Sequence, residues 1–223
     1  MAQELLPPQL VTNARMLYFC WVPADPAAAA ALLPAGLNPA RDKAIYINQY
    51  VVDREEQTSH FGAYSLTYMG LDLDGLDLDD GTPGRFWTHY FNSSPAMRAY
   101  AAERGIPAEA GKTELVIVDD LLTATTAAGD GTLLFRTKAR VSETIGESVR
   151  GHLRYITKSG GGLESGRYAY LGDIVAPFEL LSLEFLAPDH PSYALRPADP
   201  LEITSGFYSP NASFCYPGGV EPL

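Results

Sequence analysis

Tyrosines recur at alternating positions in segments that have the composition of β-strands. Side chains two residues apart project from the same face of a strand, where aromatic rings either pack a core or line an amphipathic pocket. Phenols in a pocket can donate hydrogen bonds or protons to a carbonyl or enol oxygen. Both interpretations stay open for the residues in this pattern, which are Tyr46, Asn48, Tyr50, Tyr64, Tyr68 and Tyr90.

The strand predicted over residues 85–91 carries one of these tyrosines. A period of two divides its side chains into two faces, Trp87 with His89 and Phe91, and Phe86 with Thr88 and Tyr90. Only one of the two faces can line a cavity. The prediction of a site takes the face with Thr88 and Tyr90.

The histidines, cysteines and aspartates show no metal-binding spacing, and we predict no metal. The four histidines, at positions 60, 89, 152 and 190, form no His-x-x-x-His or Glu-x-x-His pair. His152 has both a catalytic and a structural interpretation, and the structural one is favoured. Cys20 and Cys215 each lie within an aromatic run, as is typical of buried free thiols. The segment LDLDGLDLDDG at 71–81 has its glycine out of register for an EF-hand, so we expect a solvated acidic loop.

Composition and missing motifs exclude several classes of function. The formal net charge is −11, which repels nucleic acids and anionic membranes. The sequence contains no Gly-x-Ser-x-Gly elbow, no phosphate-binding glycine loop and no dinucleotide fingerprint, so we predict no cofactor. It also shows no leader pattern and no run of 18 apolar residues. We expect a cytoplasmic protein whose partner is a small molecule, not a nucleic acid or a membrane.

Short strands dominate the predicted elements, and two helices interrupt them. Asp25-Pro26 and Ser94-Pro95 are helix-opening pairs, each a capping residue followed by a proline. Strands are predicted over 15–22, 44–52, 63–71, 85–91, 113–118, 133–142, 149–157, 168–185 and 201–216. This pattern favours an α+β fold, a β-rich antiparallel barrel or curved sandwich around a central cavity with two main helices. We expect residues 1–223 to form a single domain.

The order of several segments resembles the acetoacetate decarboxylase family along most of the chain. The first is a strand with a leading arginine, Arg15 to Asp25, followed by a helix that ends in Leu33-Pro34-Ala35-Gly36-Leu37. A Gly-x-Tyr strand follows at Gly62-Ala63-Tyr64, and then a helix between Pro95 and Pro107. The last is the closing-strand segment PLEITSGFY at 200–208. No single motif is specific, but their order and spacing together are. The resemblance implies the fold of that family, an assembly of at least two copies, and a site inside the barrel.

The residues that carry the family's covalent chemistry are missing. The family's Schiff-base lysine and its neighbouring lysine fall on Ala108 and Glu109, and an acidic residue of the family falls on Leu66. A second acid falls near Asn48, whereas the leading arginine is retained as Arg15. Because a methyl group cannot form an imine, we predict that covalent catalysis at position 108 is excluded.

We hypothesise a small-molecule enzyme that uses general acid–base catalysis, without a covalent intermediate, on a carbonyl- or enol-bearing substrate. The reaction classes are cyclisation, dehydration, isomerisation and hydrolysis, with a role in secondary metabolism among the possibilities. Catalysis is assigned to Glu109 as base, Arg15 as anion contact and Tyr90 as proton donor. The residues expected to bind the substrate are Asn48, Tyr64, Leu66, Tyr68, Thr88 and Ala108.

Two alternatives remain. The first is a binding protein without catalysis, in which the tyrosines only pack and contact a ligand. The second is a β-keto acid decarboxylase with Lys112 as a displaced nucleophile. An extended segment would move that amine by more than about 10 Å from position 108, which is too far for the placement that imine formation needs.

Overall fold

The computed structural model describes residues 7–42, 44–216 and 218–223. The first six residues, on which the expectation about a leader partly depends, lie outside the described residues. The described strands are β1 (Gln9–Trp21), β2 (Ile45–Val52), β3 (Tyr64–Asp72), β4 (Gly84–Asn92), β5 (Ala108–Val118), β6 (Leu121–Ala128), β7 (Leu133–Val141), β8 (Ile145–Ser159), β9 (Gly162–Val175), β10 (Phe178–Phe185), β11 (Ile203–Tyr216) and β12 (Glu221–Pro222). The α-helices are α1 (Pro26–Ala30) and α2 (Pro95–Ala102).

Seven strands close into a barrel in the order β1, β2, β3, β4, β8, β9 and β11, which pairs again with β1. All these pairings are antiparallel except that of β4 with β8, where Gly84 to Phe86 run parallel to Arg154 to Ile156. This parallel pairing closes the barrel. The predicted β-rich fold with two main helices is therefore confirmed, with a parallel seam that the sequence pattern did not indicate.

Strands β5, β6, β7 and β10 form a second sheet, which continues from β4 through a short parallel pairing with β5. It covers one outer side of the barrel and encloses a hydrophobic core that includes Leu17, Ile47, Phe91 and Phe135. A second core fills the barrel itself. Burial of apolar side chains on both faces of β1 to β4 explains why these strands are almost continuously apolar.

The helices begin where the sequence predicts. The Asp25 carboxylate accepts hydrogen bonds from the backbone N–H groups of Ala27 and Ala28, both at 3.0 Å. The Ser94 hydroxyl accepts one from Met97 N–H at 3.3 Å. Each cap satisfies N–H groups that have no partner within the helix, so a capping residue followed by proline was sufficient to locate both starts.

Two strand predictions are corrected by the structure, one for β6 in the second sheet and one for the range 168–185. β6 was not predicted, because its sequence LLTATTAA carries small residues at the inward positions, where Leu122, Ala124 and Thr126 are fully buried. The single predicted strand over 168–185 is two strands, β9 and β10, which end and begin on either side of Ala176-Pro177. Proline lacks the N–H that a continuous ladder needs, and it separates the two here.

A β-bulge in β4 overturns the predicted division of that strand into two faces. Gly70 of β3 pairs with Trp87 and Met69 pairs with His89, so Thr88 is an extra residue without a partner across the ladder. The bulge brings Trp87 and Tyr90 to the same side, inside the barrel. Thr88 instead donates a hydrogen bond from Oγ1 to the Met69 carbonyl at 3.2 Å and does not line the barrel cavity.

Candidate functional site

The barrel encloses a cavity of about 170 Å³. Its walls are mostly aromatic and aliphatic, and a few polar groups point into it. The lining residues are Met16, Tyr18, Asn48, Tyr68, Arg85, Val149, Leu153, Tyr168, Tyr170, Leu171, Gly172, Phe207, Ser209, Ala212 and Phe214. A mainly apolar hollow with a small number of convergent polar groups is the usual form of a small-molecule site.

Three polar side chains, two on neighbouring strands and one from another wall of the barrel, form a connected group at the cavity. Asn48 donates from Nδ2 to the Tyr68 hydroxyl at 2.9 Å, and the Tyr68 and Tyr168 hydroxyls are 2.8 Å apart. The two strands β2 and β3 place Asn48 directly opposite Tyr68, so the contact follows from the register of the sheet. Tyr168 reaches the pair from β9, on another wall of the barrel.

The two phenols leave one proton free for a ligand. A single hydrogen bond joins their hydroxyls and uses one of the two protons, whichever tyrosine donates. Among the described residues, no acceptor takes the other. Burial raises the pKa of both hydroxyls, that of Tyr168 well above its usual value, so both are protonated at neutral pH.

Two further polar atoms at the cavity have no partner among the described residues. They are Oδ1 of Asn48 and Oγ of Ser209, on side chains that are 4% and 1% exposed. A buried polar atom without a hydrogen bond is costly, and most such atoms in folded proteins are satisfied by protein or by a bound molecule. Both side chains belong to residues that line the cavity, and each has hydrogen-bonding capacity that the described residues do not use.

Arg85 is the one formally charged residue among the described residues that line the cavity. Its side chain is 15% exposed, and its Nε donates to Oδ1 of Asp72 at 2.8 Å. The guanidinium lies over the Tyr46 ring at 4.8 Å and near the Tyr18 ring at 5.6 Å from their centroids. Burial raises the pKa of the Asp72 carboxyl, and the neighbouring Arg85 opposes that rise. Asp72 and the two rings thus hold the cation against the cavity wall.

The structure does not bring Arg15 and Glu109 to this cavity. Arg15 lies outside the barrel, where Nη2 and Nε donate to the Asp53 carboxylate at 2.6 and 2.8 Å and Nη1 donates to the Leu115 carbonyl at 2.7 Å. Glu109 is exposed on β5. An alternating strand sends adjacent residues to opposite sides, and Ala108 takes the side that packs against the barrel core. The retained arginine and the predicted base are therefore separated from the buried phenols.

The end of the barrel interior near Ala108 is filled by packed rings. Tyr90, which pairs with Ala108 across β4 and β5, is 1% exposed and lies inside the barrel without lining the cavity. Tyr64 and Tyr50 share a hydrogen bond of 2.7 Å, and Leu66 is fully buried beside them in the same core. Among the predicted binding residues, Asn48 and Tyr68 line the cavity, whereas Tyr64 and Leu66 pack the core together with Tyr90, the predicted proton donor.

Lys112, the displaced nucleophile of one alternative, is on the outside of the molecule. Its side chain is 69% exposed, and Nζ lies 2.6 Å from Oε1 of Glu114. No lysine that the structure describes lines the cavity, while Lys43 lies outside the described residues. Within the described part of the chain, no group of three or more His, Cys, Asp or Glu side chains is arranged to hold a metal ion.

Arg85, Tyr168 and Ser209 line the cavity but were not predicted as site residues from the sequence. Arg85 was already inside a predicted strand, but strict alternation placed it with Trp87, on the face that was not selected. A lone buried cation in an otherwise apolar strand was the available signal, since such a residue needs a partner such as Asp72. Tyr168 and Ser209 gave no signal, because only barrel closure brings β9 and β11 to the same cavity as β3.

The fold matches solved structures over nearly the whole chain. An acetoacetate decarboxylase structure covers 96% of this chain and 88% of its own, at 16% identity and a TM-score of 0.62. The fold is that of acetoacetate decarboxylase. An acetoacetate decarboxylase-like enzyme from Sphingomonas wittichii RW1 covers 99% of this chain and 94% of its own, at 19% identity and a TM-score of 0.65. The fold that the resemblance implied is thus confirmed.

A biosynthetic enzyme shares the same fold. The enduracididine biosynthesis enzyme MppR complexed with pyruvate covers 96% of this chain and 90% of its own, at 14% identity and a TM-score of 0.69. Comparison with protein-family models and with curated protein sequences finds no match. None of the described helices is both long and apolar enough to span a membrane.

Proposed function

We propose that this chain is a small-molecule enzyme that uses acid–base catalysis without a covalent intermediate in the barrel cavity. The observation that carries the proposal is the Tyr68–Tyr168 pair, which keeps one phenolic proton without an acceptor among the described residues in a mostly apolar cavity. Asn48 fixes the pair by donating to Tyr68. The substrate class is a compact molecule that carries a carbonyl or enol group.

The phenol pair suits reactions that pass through an enol or an oxyanion. When a water molecule removes a proton from the carbon next to a carbonyl group, the carbonyl oxygen gains negative charge and would accept the free phenolic proton or a strong hydrogen bond from it. The mostly apolar walls strengthen this contact relative to bulk solvent. Cyclisation by conjugate addition, dehydration, isomerisation and hydrolysis all generate such an oxygen, so each belongs to the proposal.

The positions of the charged side chains support a noncovalent route. A lysine becomes a carbonyl-capturing nucleophile when apolar surroundings or a neighbouring cation lower its pKa, whereas Lys112 is exposed and paired with the Glu114 carboxylate. The shared fold with a decarboxylase and with a biosynthetic enzyme complexed with pyruvate supports a small-molecule enzyme of the same shape. Catalytic roles for Glu109, Arg15 and Tyr90 stay predictions, and the proposal does not use the first two because they lie away from the cavity.

Deuterium exchange tests the proposal. The protein is incubated in D2O with pyruvate, 2-oxobutanoate and cyclohexanone, and loss of the proton signals next to each carbonyl is followed by NMR. We expect exchange above the buffer rate for at least one compound and a loss of about 100-fold in the double variant Tyr68→Phe with Tyr168→Phe, the range typical of one acid–base group. The double variant is needed because either single variant leaves one phenolic proton free. Tyr193→Phe, outside the barrel, is the matched control and keeps the wild-type rate.

Two outcomes would count against catalysis by the phenol pair. Exchange that persists unchanged in the double variant Tyr68→Phe with Tyr168→Phe would remove the pair from the mechanism. Binding of these compounds without exchange in the wild-type protein would identify the alternative of a noncatalytic binding protein.

A further inference from the structure

The guanidinium of Arg85 has hydrogen-bonding capacity that the protein does not use. Asp72 takes the Nε hydrogen at 2.8 Å, and no described residue accepts a hydrogen bond from Nη1 or Nη2. The two terminal nitrogens form the outer edge of the group, which matches the two oxygens of a carboxylate. An arginine that lines a cavity with this edge open is prepared to bind an anion.

The surroundings of Arg85 fix its orientation before a ligand arrives. Asp72 holds one side of the group, while the Tyr46 ring lies under it at 4.8 Å and Tyr46 is itself anchored by donating to the Phe86 carbonyl at 3.2 Å. The centroid of the Tyr18 ring, on β1, lies 5.6 Å from Cζ of Arg85. A cation that is already ordered loses little conformational entropy on binding, so its contacts contribute fully to affinity and orientation.

The size of the cavity limits the body of the ligand. An engineered protein cavity of about 150 Å³ holds benzene, so the 170 Å³ here has room for one such ring and a small substituent. Phe207, Phe214 and Leu153 supply apolar walls.

We infer that the cavity takes a small monocarboxylate with an apolar, ring-sized body, whose carboxylate binds Nη1 and Nη2 of Arg85 and whose body lies between the aromatic walls. This inference rests on the proposed use of the cavity as the substrate site and names the substrate class. The anion contact is thereby assigned to β4 and not to Arg15, which the Asp53 carboxylate already occupies.

Benzoate and benzamide form the direct test, because they have the same shape and differ in charge. Affinities are measured by titration calorimetry on the full chain. We expect benzoate to bind at least about ten-fold more tightly than benzamide, the usual advantage of hydrogen bonds between charged groups over neutral ones. The double variant Arg85→Gln with Asp72→Asn removes both charges while retaining hydrogen-bonding side chains, and in it the two affinities should become equal.

Control variants separate a lost contact from a damaged fold. Arg140→Gln with Glu179→Gln removes an exposed ion pair of 2.7 Å and should leave both affinities unchanged. Arg85→Lys keeps the charge without the two-pronged edge and should reduce, not abolish, the preference for benzoate. Retained benzamide binding shows that the double variant still forms the cavity. If that variant does not fold, Arg85→Lys and the comparison in the wild-type protein decide.

Three results would overturn the inference. They are equal affinities for benzoate and benzamide in the wild-type protein, a preference for benzoate that survives in the folded double variant, and no detectable binding of either compound. None of these measurements requires turnover. Failure of the anion site is thus distinguishable from failure of acid–base catalysis, which the exchange experiment reports.

Discussion

At the scale of single residues, burial sets the protonation state of the groups that matter. Tyr68 and Tyr168 are held protonated because the barrel interior disfavours a phenolate. The same effect acts on His89, which faces the second core beside Phe91, with ring centroids 6.0 Å apart. Burial, together with nearby His190, lowers the pKa of His89 to about 4. His89 is therefore a neutral packing residue.

This lowered pKa predicts a loss of stability in mild acid. An unfolded histidine takes up a proton near pH 6.5, whereas folded His89 does so only near pH 4, so its contribution is complete above pH 6.5 and declines as the pH falls through that window. Between pH 7 and pH 5 the wild-type protein should lose roughly 2 kcal/mol of unfolding free energy through this group. Urea unfolding at both pH values measures the loss.

The variant His89→Gln serves as the reference for that measurement. It carries every other titrating group, so the difference between the two proteins isolates His89. We expect the stability of the variant to change less between pH 7 and pH 5 than that of the wild-type protein. An equal change in both would show that His89 is protonated in the folded state at pH 5.

At the scale of elements, one extra residue in β4 decides what reaches the cavity. The bulge at Thr88 allows Arg85, Trp87 and Tyr90 to share the barrel side, which strict alternation forbids. The neighbouring strand is adapted to it, because β3 has Gly70 where the two backbones approach most closely. A Cβ at position 70 would overlap the Phe86 carbonyl oxygen and lie 2.7 Å from the Tyr46 hydroxyl.

Gly70→Ala should therefore destabilise the barrel strongly. The obstacle is backbone in a closed sheet, which does not move as a flexible side chain would, so we expect a loss of about 3 kcal/mol or more. Thermal unfolding or urea titration measures it. Gly160→Ala is the matched control, since no atom lies within 4 Å of the added Cβ, and it should stay within about 0.5 kcal/mol of the wild type. Equal stability of the two variants would refute the close approach.

The strands and helices show how far sequence alone reaches. Helix starts follow from local chemistry at Asp25 and Ser94, and the buried strands follow from their apolar composition. β6 was not predicted because small residues occupy inward positions such as Ala124 and Thr126. The face of β4 that lines the barrel was predicted wrongly because a bulge depends on the partner strand and cannot be recognised from the alternation of apolar and polar residues. The site inherits these limits: Asn48 and Tyr68 were predictable from spacing, whereas Arg85 required the bulge and Tyr168 required closure of the barrel.

At the scale of the whole molecule, two cores share the same four strands. β1 to β4 present one face to the barrel interior and the other to the second sheet, so neither core forms without them. A buried network crosses the outer core, in which Gln49 donates to Thr126 at 3.1 Å and Thr126 lies 2.7 Å from Thr67. This shared framework is the physical basis for expecting residues 1–223 to be one domain, which stays a prediction, as does assembly into an oligomer.

For the whole molecule, we propose that a barrel with the fold of acetoacetate decarboxylase catalyses its reaction without forming an imine. At position 108 the chain has a methyl group, and each described lysine lies away from the cavity, so the proposed catalysis relies on the Tyr68 and Tyr168 phenols. The claim covers all four lysines in the sequence, including Lys43 outside the described residues. It therefore calls for a measurement on the entire chain.

Intact-mass spectrometry after borohydride reduction in the presence of pyruvate or acetoacetate makes that measurement. Reduction converts any imine between a lysine and the keto acid into a stable amine and adds a defined mass to the protein. The account predicts an unchanged mass under conditions in which an acetoacetate decarboxylase with its lysine is labelled. An added mass that peptide mapping places on any one lysine would contradict the account and restore covalent catalysis.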